Sequence, residues 1–238
     1  MDCSRSVDAF WRQIERSDTI GGIEQVLDRL DVAQMVDDAL RGGDPAVRSI
    51  FQDAHRHPNG FLKATLRGSG RSGRYVRLHL WRPTDEAHGE PDIHDHRWSF
   101  SSRVLFGALC HRTFVAEMAA DGSHHHYRHR APRSREFDFQ LVGRSSLHEQ
   151  KADLLAAGSV YGLGHETLHR VEPTSASDLV ATLVIEHPER REDTNVFSRV
   201  CQRSPSSALS RTCDWAGLRV HLHELRDHLP GVAGSTTT

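Results

Sequence analysis

Ile93-His94-Asp95-His96-Arg97-Trp98-Ser99-Phe100-Ser101-Ser102-Arg103-Val104-Leu105-Phe106-Gly107-Ala108-Leu109 places two histidines, two positions apart, at the head of an apolar run. A turn-forming stretch, Gly89-Glu90-Pro91-Asp92, precedes it. In an extended strand, residues i and i+2 point to the same face, so His94 and His96 are expected side by side. Two imidazoles on one face make half of a metal site. A further histidine in a second strand-like segment, Leu168-His169-Arg170-Val171-Glu172-Pro173, would supply the missing donor. Trp98 and Phe100 continue the face of His94 and His96, so they are expected to wall the pocket and exclude water.

Outward from this stretch the chain reads as many short strands. Tyr75-Val76-Arg77-Leu78-His79-Leu80-Trp81 alternates cleanly, with Val76, Leu78 and Leu80 on one face and Tyr75, Arg77, His79 and Trp81 on the other. The polar face either lines a barrel interior, where Arg77 could grip a substrate carboxylate and His79 would border the metal, or meets solvent. Further strands are expected at 93–106, 108–116, 136–142, 146–149, 153–161, 168–172 and 178–186, a pattern of all-β sandwiches and barrels. Residues 7 to about 56 read as helical from Val7, Phe10, Trp11 and Ile14, then Ile23, Leu27, Leu30, Val36 and Leu40. Pro45, after Gly42-Gly43-Asp44, suits the start of a further helix, and His57-Pro58-Asn59-Gly60 is expected to end it. Beyond 190 the text turns polar and loop-like, Trp215 to about His228 reads as a final helix, and the tail from Gly234 reads as disordered. This divides the chain into an N-terminal helical extension (1–60), a β-barrel (61–190) and a C-terminal loop and helix (191–238).

Composition excludes several classes of partner. The 238 residues are 37% hydrophobic and 26% charged, with a formal net charge of -2, which gives no electrostatic case for nucleic acid or an anionic membrane. Lys63 and Lys151 are the only lysines. The cysteines Cys3, Cys110, Cys201 and Cys213 lie far apart with no C-x-x-C, against a disulfide framework or a structural zinc site. No apolar run reaches the ~18 residues of a membrane span, and the first residues do not read as a signal peptide, so a cytoplasmic location is expected.

Taken together, residues 89–109 and 158–173 resemble the two motifs of the cupin family: Gly89, His94, His96 and Gly107 in the first, and Gly158, Gly162, Gly164 and His169 in the second. The glutamate of the first motif would fall on Phe100 or Ser101 and is absent. Three histidines without that glutamate resemble the cysteine dioxygenase-type thiol dioxygenases, with Trp81 closing the lead-in strand as in that branch. The resemblance covers roughly 61–187. It implies a mainly β, double-stranded β-helix (jelly roll) with an N-terminal helical extension and a short C-terminal helix. It also implies one metal on His94, His96 and His169, iron(II) by analogy and nickel(II) next, and oxidation of a small thiol- or amino-acid-like substrate by dioxygen. The sequence departs from that branch where its catalytic tyrosine becomes Glu186, the histidine two residues earlier becomes Val184, and Cys110 lies past the position of its cross-linking cysteine. Glu186 and Tyr161 are therefore candidate proton donors or acceptors, and Arg77, His79, Trp81, Trp98 and Phe100 candidate pocket residues.

Two other functions fit a chain of this kind: a cupin isomerase or epimerase using histidine as base, and a non-catalytic small-molecule binder. Residues 1–60 carry mixed charges and no basic helix-turn-helix, against a DNA-binding sensor. A homodimer is compatible with the reading. Among the 18 histidines, His165 is the rival to His169, and Ser123-His124-His125-His126-Tyr127-Arg128-His129 reads as an exposed hairpin loop of the kind that binds metal adventitiously.

Overall fold

The protein is described from a computed structural model over residues 10–17, 19–57, 59–66, 73–82, 92–130, 138–175, 179–201 and 213–229. Among the described residues five helices flank the β-structure: α1 (residues 10–15), α2 (Ile20–Arg29), α3 (Val32–Arg41), α4 (Gly43–Ile50) and α5 (Trp215–His228). Three of them start on a side chain that accepts an otherwise unpaired amide: Thr19 from Gly22, Asp31 from Gln34, and Asp214 from Gly217. Pro45 sits in the first turn of α4, where its missing N–H leaves no intrahelical bond unmade.

The helical expectation for residues up to 56 fails at its end. Residues 51–57 form strand β1 (Phe51–His57). Phe51 and Ala54 are both buried, and their helix-like spacing of three arises from a β-bulge between Phe51 and Asp53. The chain then turns at Gly60, whose φ of 83° favours glycine, into β2 (Phe61–Leu66).

The remaining strands are β3 (Tyr75–Trp81), β4 (Ile93–His94), β5 (Phe100–Phe106), β6 (Ala108–Met118), β7 (His124–Arg130), β8 (Asp138–Ala156), β9 (Val160–Leu163), β10 (Leu168–Pro173), β11 (Val180–Glu186) and β12 (Asp193–Ser198). They form two antiparallel sheets. One has the order β1-β2-β3-β11-β5-β9, and the other closes on itself as β10-β4-β12-β7-β8-β6. The mainly β jelly roll with helices at both ends is the architecture found. Gly107 makes the β5–β6 turn with φ 76°, and a Cβ there would stand 2.5 Å from the Leu179 carbonyl, so the motif glycine is required by close packing.

Three local expectations are corrected. The segments expected at 136–142, 146–149 and 153–161 are one long strand, β8, followed by β9. Residues after 190 include β12, which pairs with both β4 and β7. The histidine tract at 124–129 is a strand rather than an exposed loop. His124 is buried, His126 stacks on Phe197 at 4.3 Å between ring centroids, and His129 stacks on Phe139 at 4.6 Å.

Both faces of the first sheet are covered. Leu62, Ala64, Leu66, Val76, Leu78, Leu80, Ala181, Leu183 and Ile185 point to the helices and form one core with Ile23, Leu27, Val36, Val47, Leu218 and Leu222. The alternate residues face the second sheet and line a cavity between them. Among the described residues no helix is long and apolar enough to cross a membrane.

Candidate metal centre

His94 lies on β4 directly opposite His169 on β10. His96 falls just beyond the two-residue β4, so strand geometry alone does not place it. Its backbone is fixed instead: the His96 amide donates to the His165 carbonyl at 3.1 Å, and the Asp95 amide to the Asn195 carbonyl at 3.1 Å. Asp95, between the two histidines, is buried and turned away from them. It accepts from the Asn195 amide and from Asn195 Nδ2, both at 2.7 Å, and pairs with the Arg191 guanidinium. The middle residue of His-Asp-His thus anchors the ligand segment to β12.

The three rings form a nearly equilateral triangle, with centroids 4.9 Å (His94–His96), 5.0 Å (His94–His169) and 5.0 Å (His96–His169) apart. One nitrogen from each lies within 4.8 Å of the others. His96 Nε2 and His169 Nε2 are 2.8 Å apart. Two imidazoles bound at ~2.1 Å and at right angles would bring their donor atoms to about 3 Å, so this spacing fits two ligands of one ion.

The far nitrogens are held as ligands need to be. His94 Nδ1 donates to the Asp92 carbonyl at 3.0 Å, leaving Nε2 free to face the centre. His169 Nδ1 lies 3.2 Å from Nε2 of His111, a buried residue on β6. Burial holds all three histidines below the usual imidazole range, His96 and His169 well below, with His94 the next cause for both. Neutral imidazoles in a convergent, oriented set are what a divalent cation requires.

The cavity measures about 360 Å³. Phe100 packs edge-on against His96 at 5.1 Å, and Trp98 lies 5.8 Å from the same ring. Trp81 and His79 flank Phe61 at 4.8 and 4.6 Å. Tyr161 is also in the wall, 5.3 Å from the His111 ring, and burial pushes its phenol up while the nearby Ser102 hydroxyl opposes. The structure therefore brings every candidate pocket residue to the lining of one cavity. Gly89 lies outside the described residues.

Arg77 and Glu186 meet each other there. Arg77 Nε donates to Glu186 Oε1 at 2.5 Å and a terminal nitrogen to Oε2 at 3.0 Å, while the other terminal nitrogen donates to Thr65 at 2.5 Å. This bidentate pair uses the fork that a substrate carboxylate would otherwise take. His165 is not in the cluster: its carbonyl holds His96, and its ring faces Glu166 at 3.8 Å. Among the described residues the three-His group is the one cluster with metal-ligating geometry.

Three residues of the site escaped sequence reasoning. His111 alternates inward with Leu109 on β6, but in a chain of many histidines nothing marks it. His57 stacks on Phe61 at 4.5 Å, at the end of the segment read as helical. Lys63 lies between Phe61 and Thr65 on the inward face of β2; its signal was its rarity, one of only two lysines.

No protein-family model matches the chain, and no curated protein sequence is similar to it. Solved structures with partial overlap include Fe(II) HppE, at 12% identity over 53% of this chain and 49% of that chain, TM-score 0.33. Another is the hydroxypropylphosphonic acid epoxidase from S. wedmorenis, at 10% identity over 54% of this chain and 51% of that chain, TM-score 0.32. A third is Drosophila melanogaster CENP-C bound to CAL1, at 12% identity over 66% of this chain and 96% of that chain, TM-score 0.37. The chain spans about half the length of the two enzyme chains. Overlaps of this size add nothing to the site, which stands on its own side chains.

Proposed function

We propose that this chain is a mononuclear metal-dependent oxygenase, with iron(II) held by His94, His96 and His169 and a small thiol- or amino-acid-like substrate oxidised by dioxygen. The observation that carries this is the convergence of three neutral, oriented histidines in a cavity of about 360 Å³ walled by aromatic rings. When bound, a divalent iron would supply adjacent open positions for substrate donor atoms and dioxygen, the electrons for dioxygen reduction coming from the substrate that is oxidised.

The chain's own residues supply the rest. Phe61, Trp81, Trp98 and Phe100 exclude water and shape a space near the small end of ligand pockets, which run from about 300 Å³ upward. His111 holds the His169 ring in place, and the Asp92 carbonyl does the same for His94. Arg77 and Glu186 brace one wall through their mutual pair, and Tyr161, in the cavity lining, would share a proton with a bound substrate.

Oxygen uptake by iron-loaded protein against a panel of small thiols and amino thiols tests the reading. Substrate-dependent uptake, abolished by His169→Ala, is expected; a metal-loaded protein that consumes no oxygen with any member would count against it. His79 presents a buried Nε2 with no hydrogen-bond partner among the described residues, which favours proton transfer as a second reading. Turnover of a substrate without oxygen uptake would select that isomerase-type reaction.

A further inference from the structure

One ring of the histidine tract on β7 is joined by hydrogen bonds to the segment that carries two of the metal ligands. Asp95, between His94 and His96, accepts from the Asn195 backbone amide through Oδ1 and from the Asn195 side-chain amide through Oδ2, both at 2.7 Å. Its own backbone amide donates back to the Asn195 carbonyl at 3.1 Å. Asn195 Oδ1 in turn lies 2.9 Å from His126 Nε2. A relay thus runs from β7 through β12 to the residue between the two ligands.

The carboxylate fixes the direction of every bond in it. Asp95 is 2% exposed, and its partners are two amides and the Arg191 guanidinium, all of which can only donate. The Asn195 side chain must therefore turn its NH2 group to Asp95, which leaves Oδ1 as the acceptor facing β7. His126 must then carry its proton on Nε2. Its other nitrogen, Nδ1, is buried with no hydrogen-bond partner among the described residues, so the polar capacity of the ring is spent on Asn195. Stacking on Phe197 at 4.3 Å holds the ring in that orientation.

His96 lies beyond the end of β4, where no ladder of strand bonds sets its direction. The paired bonds between Asp95 and Asn195 join the same two residues through backbone and side chain, so the segment can neither slide along β12 nor turn about its own axis. A turn at Asp95 would carry His94 and His96 away from His169 together, because both project from the face opposite the Asp95 side chain. We propose that His126 and Asn195 are positioning residues of the metal centre, which act through Asp95 to hold His94 and His96 in reach of the ion bound by His169. This rests on the three-histidine reading of the site. It gives the β7 tract a part in the centre from two strands away, without any contact with the ion.

Two variants of His126 separate the hydrogen bond from the stack. His126→Phe keeps a ring against Phe197 and loses the donor, whereas His126→Gln loses the ring and keeps an N–H of similar reach. Asn195→Asp removes the donor to Asp95 and sets a second carboxylate against it. Cobalt(II) is the probe, because its visible spectrum reports the number and arrangement of its ligands. The wild type is expected to bind one cobalt(II) per chain and His169→Ala none. Asn195→Asp and His126→Phe are expected to bind it about 10-fold more weakly with an altered spectrum, and His126→Gln to recover most of the affinity. Unchanged affinity and spectrum in either of the first two overturns the proposal, as does His126→Gln binding as weakly as His126→Phe. Should Asn195→Asp fail to fold, the two His126 variants decide alone.

A wild type that binds no cobalt(II), or that keeps it in His169→Ala, is a failure of the three-histidine reading instead. The relay is then decided in metal-free protein by ring nitrogen–proton correlation spectra after nitrogen-15 labelling of histidine. His126 is expected as the tautomer protonated on Nε2, and the His94 and His96 signals are expected to move in His126→Phe. A His126 protonated on Nδ1, or His94 and His96 signals that stay in place, overturns the proposal.

Discussion

The two faces of the six-stranded sheet are built from the same strands and serve opposite ends. On the helix side, β2, β3 and β11 contribute Leu62, Ala64, Leu66, Val76, Leu78, Leu80, Ala181, Leu183 and Ile185. On the cavity side the alternate positions are Phe61, Lys63, Thr65, Arg77, His79, Trp81, Thr182, Val184 and Glu186. A sheet that stabilises itself through one face is free to carry unpaired and titratable groups on the other. The helices are what allow this, since they bury the apolar face that an isolated jelly roll would have to turn inward. Stability and chemistry are thereby separated by a single-residue alternation.

Substitutions on the two faces test this separation, to which the Arg77–Glu186 pair is the exception on the cavity side. The largest effect on stability is expected from Arg77→Met, which leaves the Glu186 carboxylate buried without its partner; a loss of about 3–5 kcal/mol should appear in chemical denaturation. A loss under about 1 kcal/mol would mean the pair is loose and Arg77 is free to meet a substrate. Leu78→Ala, one residue away on the opposite face, should lower stability by about 3 kcal/mol through the cavity it opens, with metal stoichiometry unchanged.

His111→Phe should act in the reverse sense. It keeps the fold and loosens the His169 ring, so metal affinity should fall by about 10- to 100-fold. A pH titration sharpens the contrast further. His57 and His79 are held well below the usual imidazole range, by burial first and then by Lys63. The unfolded chain therefore binds more protons than the folded one around pH 6.5, and the metal-free protein should lose stability as pH falls from about 7 to 5. The smallest effect is Thr19→Ala, which removes the cap of α2 and should cost about 1 kcal/mol with no change at the metal.

The parts of the site that follow from spacing were legible in the sequence. His94 and His96 converge although the strand expected at 93–106 is broken between β4 and β5 and His96 lies in the break, His169 lies in a recognisable strand, and the alternation 75–81 puts Arg77, His79 and Trp81 on one face. What the alternation left open was which face turned inward, because both faces are buried and only the packing of the helices decides it. The pair Arg77–Glu186 joins residues 109 positions apart across adjacent strands, a distance that no local pattern encodes. The bulge in β1 imitated a helical period, and the Ser and His run at 123–129 imitated a loop although Tyr127 and His124 are buried within a strand. His111 and Lys63 carry no motif; their roles arise from what stands opposite them.

The most direct test is the metal content, by mass spectrometry, of tag-free wild-type protein and of the His169→Ala and His125→Ala variants. One metal per chain in the wild type and in His125→Ala, and none in His169→Ala, is the result expected of a centre built on His94, His96 and His169. Metal that survives His169→Ala and disappears with His125→Ala would place it on the β7 tract and contradict the account.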